Sequence, residues 1–526
     1  MSDNDRNNGS ALGDGDWPNA LLNPALYPHP VDKLQLIETH ISWVILTGPF
    51  AYKVKKPLDL GFLDFTTAAD REYYCYRELE LNRRFSPDIY LDVVPISGTP
   101  QTPDLAGQGQ AFDFAVKMRQ FDNQQLADHL AQKGLLTDDL ARQLAKTLAR
   151  VHQELPSISE DCEYGYADDF FSAAMENFTQ IRAYSLSEEI LTSLTKLQDW
   201  MRETYQYCKP LLDSRRQEGY VKDCHGDCHL GNIVLIDDKI TLFDCIEFND
   251  SFRINDTVAE AAFLSMDLCA RELAQQSQRF INTYLEYTGD YHALPVLNLF
   301  RCYDALVRAK VNLLRLPKGY DSTITRESQS DFYRYVQLAE RFTVNQSVQL
   351  ILMHGLSGSG KSYLAEKIAS QRNAIRIRSD VERKRLFHLE PHQSGTQVTN
   401  LYSEETTRTT FERLLILSST VIDAGFNCIV DATFLTQSSR QPFLQWAISQ
   451  KIPVIIAHCV ASESVILQRL QQRTQEANDP SDADSEIYQQ QKEQAEPFAE
   501  QEHPYVITID TEQQNCDELI ITQLTN

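Results

Sequence analysis

The residues with the clearest chemistry form one glycine-rich segment, Gly355-Leu356-Ser357-Gly358-Ser359-Gly360-Lys361-Ser362. It matches the Walker A pattern G-x-x-x-x-G-K-[ST] at every fixed position, after an apolar run at 349–354 and before a helical pattern. In that context the glycines let backbone N–H groups surround a phosphate. Lys361 would reach the β- and γ-phosphates, and Ser362 would hold Mg²⁺. The segment therefore predicts an ATP site, the alternative being a flexible Gly/Ser turn.

A second set of catalytic residue types lies in the loop Cys224-His225-Gly226-Asp227-Cys228-His229-Leu230-Gly231-Asn232. Two short strands follow the loop, and Asp244 ends the second. One carboxylate as base, with an Asn and an Asp as Mg²⁺ ligands, is the arrangement that phosphoryl transfer requires. Two alternatives stay open. Asp227 and Asn232 also suit turns, and the Cys and His residues of the loop offer zinc ligands, although structural zinc sites usually draw ligands from two separated knuckles.

The order His-Gly-Asp-x-His-x-x-Asn and then Phe-Asp resembles the aminoglycoside phosphotransferase family, of protein kinase-like fold, across roughly 36–316. The resemblance implies that Asp227 is the base and that Asn232 and Asp244 bind Mg²⁺. It also implies that Lys53 contacts the nucleotide phosphates and pairs with an acid of the next helix, for which we prefer Glu78 to Glu72.

This sequence departs from the family pattern at two places. The small lobe has no G-x-G-x-x-G, only Gly48-Pro49, so its phosphate-covering loop is not identified. Asp244 is followed by Cys245-Ile246-Glu247 instead of Gly. Glu247 is either a further acidic group near the metal or a surface residue.

The C-terminal part adds charged residues at the ends of predicted strands. Asp380 ends the second strand, at the sheet edge where open α/β folds bind ligands, and Arg383 lies one helical turn on. Asp380 can act as the base and Arg383 can hold a phosphate, although Asp380 also suits a helix N-cap. Asp431 ends another strand and is suited to hold Mg²⁺ through water. Two lid arginines complete the set, Arg469 and Arg473, whose alternative is surface ion pairing.

These C-terminal residues resemble the zeta-toxin and polynucleotide-kinase branch of P-loop kinases, across 349–524. In that family such an Asp is the base, and such lid arginines clamp phosphates. The whole chain is similar to bacterial proteins described as bifunctional aminoglycoside phosphotransferase/ATP-binding proteins.

Two different patterns of elements must position these residues. In the N-terminal part a hairpin, a helix and further strands give way to helices such as the one with Leu140, Leu144 and Leu148, which predicts a two-lobed α+β plan. From residue 349 strands and helices alternate, which predicts an α/β domain with a parallel sheet. We therefore expect a poorly ordered tail (1–30), a kinase-like domain (31–343) and a P-loop kinase domain (348–526).

Composition limits the function classes. The 49 basic and 74 acidic residues give a net charge of −25, which argues against broad nucleic-acid binding. No apolar run is long enough for a membrane span, and eleven cysteines without C-x-x-C pairs are typical of a reducing cytoplasm.

The function that we expect from the sequence is ATP- and Mg²⁺-dependent transfer to a small-molecule hydroxyl at two nucleotide sites. A polynucleotide 5′-hydroxyl kinase is one alternative, suggested by Arg376, Arg378, Arg383, Lys384 and Arg385 in one short span. The other is a nucleotide-gated regulator that binds ATP without transfer.

Overall fold

The computed structural model describes residues 17–61, 63–105, 107, 109–314, 323–324, 329–344, 347–391, 393, 398, 400–476, 485–513, 515–518 and 520, without the side chains of 473–476 and 485–486. The chain forms two compact units. Unit 1 consists of the described residues of Met1–Leu135, Pro156–Gly165 and Val221–Asn255. Unit 2 consists of those of Leu136–Leu155, Tyr166–Tyr220 and Asp256–Asn526.

The described strands are, in chain order, β1 (Gln35–Glu38), β2 (Ser42–Leu46), β3 (Phe50–Lys55), β4 (Tyr90–Thr99), β5 (Thr102–Asp104), β6 (Asp113–Arg119), β7 (Val221–Asp223), β8 (Ile233–Ile236), β9 (Lys239–Leu242), β10 (Ile254–Asp256), β11 (Leu350–His354), β12 (Ala374–Arg378), β13 (Asn427–Asp431), β14 (Val454–Val460) and β15 (Val506–Asp510). The described α-helices are α1 (Ala68–Asn82), α2 (Ala127–Gln132), α3 (Asp138–Glu154), α4 (Ala167–Arg182), α5 (Glu188–Gln217), α6 (Asp250–Arg253), α7 (Thr257–Ala270), α8 (Ala274–Thr288), α9 (Leu294–Leu314), α10 (Ser330–Phe342), α11 (Lys361–Gln371), α12 (Ser379–Arg385), α13 (Glu404–Asp423), α14 (Gln437–Ser449), α15 (Glu463–Glu476) and α16 (Ser485–Gln494).

Unit 1 is built on a six-stranded antiparallel sheet with the order β1-β2-β3-β6-β4-β5. Because side chains alternate along a strand, β3 places Tyr52 and Val54 in one apolar cluster and Ala51 in another. The second cluster includes Cys75 and Leu79 of α1. Lys53 and Lys55 follow the period of Ala51 and therefore project to the α1 side of the sheet.

The other face of this sheet is covered by the segment before β1. Trp17, Leu21 and Tyr27 are buried in the same cluster as Trp43 and Tyr52, and the Tyr27 hydroxyl donates to Leu21 O at 2.8 Å. The expectation of a poorly ordered tail is therefore wrong for residues 17–30, because these aromatic side chains are needed to bury the sheet. Residues 1–16 lie outside the description.

The loop that contains Asp227 leads into a hairpin of unit 1. Strands β8 and β9 pair antiparallel, and the turn between them has positive φ at both Asp237 and Asp238. That conformation matches the right-handed twist of the paired strands. The short 3₁₀ helix Leu230–Asn232 enters β8, and Asp244 follows the end of β9 by two residues.

Unit 2 combines helices with a five-stranded parallel sheet of order β12-β13-β11-β14-β15. The alternation of strands and helices predicted from residue 349 is confirmed, and the central strands β11 and β13 are buried along their whole length. No helix in the part of the chain that the structure describes is long and apolar enough to cross a membrane.

Helix α8 joins the helical part of unit 2 to this sheet. Strand β12 lies at one end of the sheet order, and Gln278 and Asn282 donate to Ala374 O at 2.7 and 3.0 Å. Asn282 also accepts the backbone N–H of Arg376 at 2.7 Å. The boundary expected near 343–348 therefore does not separate the compact units, since α8 completes the edge of the sheet that follows it.

Candidate active sites

Lys53 is the centre of the first candidate site. Its ammonium group donates to Glu78 Oε1 at 2.8 Å and forms an ion pair with Asp244. Burial alone would lower the pKa of Lys53, but Asp244 and Glu78 hold that pKa well above its usual value. The structure places Glu78 of α1, and not Glu72, against this lysine.

Sequence reasoning missed a second buried lysine beside the first. Lys55 donates to Glu78 Oε2 at 2.7 Å and also pairs with Glu247. Burial raises the pKa of Glu78, yet the two ammonium groups together lower it to about 2. Glu247 is buried, so its interpretation as a surface residue is wrong. The period of two that aligned Lys53 with Lys55 was the available signal.

Asp244 is held in an unusual backbone conformation. Its φ is +64°, in the left-handed region, and its N–H donates to the Tyr90 hydroxyl at 3.0 Å. Such a conformation in a residue other than glycine costs free energy and is often found at functional sites. The Asp244 carboxylate is 42% exposed, which leaves it accessible to a metal ion.

Asp227 lies in the loop before β8, and Asn232 orients it. Asn232 Nδ2 donates to both Asp227 O and Asp227 Oδ2 at 3.0 Å. His229 Nε2 lies 3.5 Å from the same carboxylate oxygen. Gly226 has φ +85°, and a Cβ there would lie 3.0 Å from Phe252 O, so the turn into Asp227 requires glycine.

Backbone contacts join this loop to the segment of Asp244. His225 Nε2 contacts Phe243 O at 2.9 Å, and the N–H of Phe243 donates to Asn232 O at 3.0 Å. The residues predicted for this site all lie in unit 1, namely Lys53, Glu78, Asp227, Asn232 and Asp244.

The zinc alternative lacks geometric support. Among the described residues, no three of Cys224, His225, Cys228 and His229 bring ligand atoms within 4.8 Å of one another. None of the eleven cysteines forms a disulfide.

The glycine-rich loop of unit 2 has the conformation that its glycines allow. Gly355, Gly358 and Gly360 have φ of +140°, +81° and +89°, and α11 begins at Lys361. A Cβ on Gly355 would lie 2.5 Å from Cys459 O. Lys361 Nζ donates to Leu356 O at 2.8 Å, within the loop itself. Among the described residues the buried hydroxyl of Ser359 has no hydrogen-bond partner, and Ser357 N donates to Gln491 Oε1 at 2.8 Å.

The residues at the start of α11 and the end of β13 fit a divalent cation. Ser362 Oγ donates to Asp431 Oδ1 at 3.2 Å. Asp431 Oδ2 is buried and has no hydrogen-bond partner in the described structure. A buried carboxylate oxygen without a donor is costly unless a cation or a cation-bound water completes it. Hydroxyl and carboxylate oxygens are also the ligand types that Mg²⁺ prefers.

One cavity of about 280 Å³ brings the predicted C-terminal residues together. Its lining includes Ser357, Gly358, Gly360, Lys361, Ser362, Asp380, Arg383, Asp431 and Arg469. Asp380 is the second residue of α12, whose N-cap position is Arg378 and has no side-chain cap. Asp380 is therefore not the N-cap that the sequence allowed.

Arg383 is a buried cation on the wall of this cavity. Its Nη1 donates to Thr407 Oγ1 at 3.0 Å and to Leu401 O at 3.2 Å, and its guanidinium lies over the Tyr402 ring. Its Nε is buried without a partner in the described structure. Burial lowers the pKa of this guanidinium below its usual value. An anionic ligand would supply the missing acceptor.

Arg469 supports the glycine loop. It donates to Thr511 Oγ1 at 2.9 Å and Thr511 O at 3.0 Å, and contacts Gly358 O at 3.4 Å. It is therefore not a surface ion pair. Arg473, the other arginine expected in a lid, lies in the same helix, but its side chain is outside the description, as are residues 477–484 that follow it.

Family models match two separate segments of the chain. Residues 100–297 match the model described as the phosphotransferase enzyme family, and residues 350–498 match one described as an AAA domain. The first match agrees with the kinase-like fold expected for the N-terminal part, and the second covers four strands of the parallel sheet, β11 to β14, with the glycine loop. Lys53 and Glu78 lie before the first match.

Uncharacterized proteins of Mycobacterium tuberculosis and Mycobacterium bovis are 29% identical over 464 residues, which cover 87% of this chain and 90% of each relative. Among solved structures, a choline/ethanolamine kinase family protein from Mesorhizobium loti is 10% identical to this chain and has a TM-score of 0.40. The match covers 62% of this chain and 98% of the Mesorhizobium protein. A sugar kinase from Janibacter is 21% identical, covers 34% of this chain and 93% of its own, and has a TM-score of 0.26. Scores this low carry no argument about activity.

Proposed function

We propose that this chain, a kinase with a phosphotransferase-family segment and a P-loop domain, has two separate ATP sites that each transfer the γ-phosphoryl group to a hydroxyl of a small molecule. The observation that carries the proposal is the cavity that the glycine loop shares with Asp380, Arg383 and Asp431. The kinase families of the chain use ATP with a divalent cation, for which we propose Mg²⁺.

In the P-loop site the backbone of the loop and Lys361 bind the phosphates, Lys361 exchanging the Leu356 carbonyl for a phosphate oxygen. Ser362 and Asp431 would hold Mg²⁺, which would supply positive charge to neutralise the charge that develops on the phosphates. Asp380 accepts the proton of the acceptor hydroxyl as that oxygen attacks the γ-phosphorus and the bond to the β,γ-bridging oxygen breaks.

In the unit 1 site Asp227 is the base, and Asn232 keeps its carboxylate in one orientation. Lys53 contacts the phosphates while Glu78 holds its ammonium group in place. Asn232 and Asp244 would hold Mg²⁺. Lys55, itself paired with Glu247, fixes the second oxygen of Glu78, so the Lys53 contact has one geometry.

Arg383 favours an acceptor for the P-loop site that carries a phosphate or carboxylate beside its hydroxyl. A polynucleotide is disfavoured, because three of the five basic residues that suggested it are engaged inside the fold. Arg376 pairs with Glu286, Arg385 pairs with Glu382 and donates to Glu286 O, and Lys384 is buried. We expect the enzyme to act in a reducing cytoplasm, where its thiols are stable.

Two lysine variants test the number of sites. We expect the wild type to bind two molecules of a non-hydrolysable ATP analogue, Lys361→Ala and Lys53→Ala one each, and the double variant none, by calorimetric titration. Lys451→Ala, in the α14–β14 turn at the end of the sheet opposite the glycine loop, is the control and should bind two.

Screening a pool of anionic alcohols for ³²P transfer from ATP then tests transfer itself. Loss of all transfer in either single variant would contradict independent sites. Two bound nucleotides without any phosphorylated product would favour the nucleotide-gated regulator.

A further inference from the structure

Glu286 of α8 is a buried carboxylate that faces two arginines of β12. Its Oε1 accepts from Arg376 Nη2 at 2.8 Å, and its Oε2 lies 3.9 Å from Arg378 Nη1. Helix α8 belongs to the segment that matches the phosphotransferase enzyme family, whereas β12 belongs to the P-loop domain. The pairing therefore joins two segments with different family matches.

Both arginines also contact the residues that we assign to Mg²⁺. Arg376 Nη1 donates to Ser362 O at 3.3 Å, and Arg378 Nε lies 3.7 Å from Asp431 Oδ2. The second distance is that of an ion pair and is too long for a hydrogen bond. Asp431 Oδ2 consequently keeps the open lone pairs that a metal-bound water needs.

We propose that Glu286 is a positioning residue of the P-loop metal site: its charge holds Arg378 off Asp431 Oδ2 and holds Arg376 against Ser362. The inference rests on the proposed function of the P-loop site. In it, one helix of the phosphotransferase segment sets the metal affinity of the other domain.

The physical reason is competition between two carboxylates for one guanidinium. Arg378 lies within 4 Å of both Glu286 and Asp431. Removing the charge of Glu286 leaves Asp431 as the stronger of these two attractions, because charge-assisted bonds gain strength in a buried site. Arg378 would then close onto Oδ2 and occupy the oxygen that the metal requires.

The test uses the full chain with Lys53→Ala, which silences the unit 1 site, and titrates Mg²⁺ against binding of a non-hydrolysable ATP analogue. We expect Glu286→Gln to raise the Mg²⁺ concentration for half-maximal binding by about 10- to 100-fold, the usual effect of losing a group behind a metal ligand. Adding Arg378→Gln should lower that concentration again, since the competing cation is gone. Glu286→Asp keeps the charge and should give a smaller shift.

Asp267→Asn is the matched control. Asp267 is a buried carboxylate of unit 2 that pairs with Arg271 at the end of its own helix, and we expect its loss to leave the Mg²⁺ midpoint unchanged. An unchanged midpoint in Glu286→Gln would overturn the inference. So would a shift that Arg378→Gln fails to reverse, because a structural role would make the double variant worse. If Lys361→Ala in the same background still binds the analogue, the proposed P-loop site is wrong instead.

Discussion

Asp227 and Asp380 are the two residues on which the proposed chemistry depends, and their surroundings differ. Asp227 receives a hydrogen bond from Asn232, whereas Asp380 occupies the first turn of α12 on the cavity wall. The N-terminal turn of a helix presents positive potential to such a carboxylate.

Replacing either carboxylate by an amide should remove proton acceptance and leave the nucleotide bound. We expect Asp227→Asn, with the P-loop site silenced, to lower turnover by about 10²- to 10⁴-fold, and Asp380→Asn to do so with the unit 1 site silenced. Steady-state turnover and analogue affinity are measured together. Asp237→Asn, in the exposed β8–β9 turn, is the control for both. A parallel loss of analogue affinity would assign these residues to binding instead.

A pair of histidines in unit 2 makes stability depend on pH. His354, the last residue of β11, contacts His458 of β14 through the two Nδ1 atoms at 2.8 Å, beside Phe498. Burial, with His458, Arg440 and Lys361 nearby, lowers the pKa of His354 from 6.5 to about 3. The folded state therefore keeps this ring neutral, while the unfolded state takes up a proton below pH 6.5.

The stability contributed by His354 is present above pH 6.5 and is lost as pH falls toward 3, by up to about 1.4 kcal/mol per pH unit. We expect His354→Gln to flatten the fall in melting temperature of unit 2 between pH 7 and pH 5. His292→Gln, at an exposed histidine, should retain the wild-type fall. An identical pH profile in His354→Gln would show that the pair does not govern acid sensitivity.

At the scale of elements, the edge of β12 depends on amides of α8. Asn282 satisfies both the N–H of Arg376 and the carbonyl of Ala374. We expect Asn282→Leu to lower the free energy of unfolding by about 1–3 kcal/mol, since buried backbone groups lose their partners. Asn312→Leu removes only a donor to a carbonyl of its own helix and should cost less. Urea unfolding compares the two, and equal losses would contradict the special role of Asn282.

Elements with strong local patterns were predictable. The alternation from residue 349 gives strands β11 to β15 in order, and β11 lies within the apolar run at 349–354. The role of the loop glycines and of Ser362 was predictable from the Walker A motif, because the shape of a bound phosphate fixes the spacing of that motif. Other contacts join residues that are far apart in sequence: those of α8 with β12, of Lys55 with Glu247, and of Arg469 with Thr511. The residue pattern of a single helix or strand does not reveal such contacts.

At the scale of the whole molecule, the chain alternates between the two units. Six segments belong in turn to unit 1 and unit 2, so the backbone passes between them five times. A single cut at the domain boundary expected near 343–348 consequently divides unit 2 itself. It separates the sheet from α8 and leaves Arg376 and Glu366 without their buried partners.

We expect the fragment 348–526, produced alone, to melt at a lower temperature and aggregate more readily than the fragment 257–526, which retains α8. An uncovered edge strand offers unpaired N–H and C=O groups to other chains. Co-expression of 17–343 should recover 348–526 in a soluble complex. Equal melting temperatures and equal analogue affinity for the two fragments would show that the P-loop domain is complete by itself.

The covered edge of β12 has a consequence for biosynthesis. Helix α8 leaves the ribosome before β12 does, so the surface that closes the sheet can already be folded when the first strand of the P-loop domain emerges. The growing C-terminal domain then meets an intramolecular partner before it meets neighbouring chains. If the P-loop domain preceded α8 in the chain, the edge of β12 would stay uncovered until α8 had been translated.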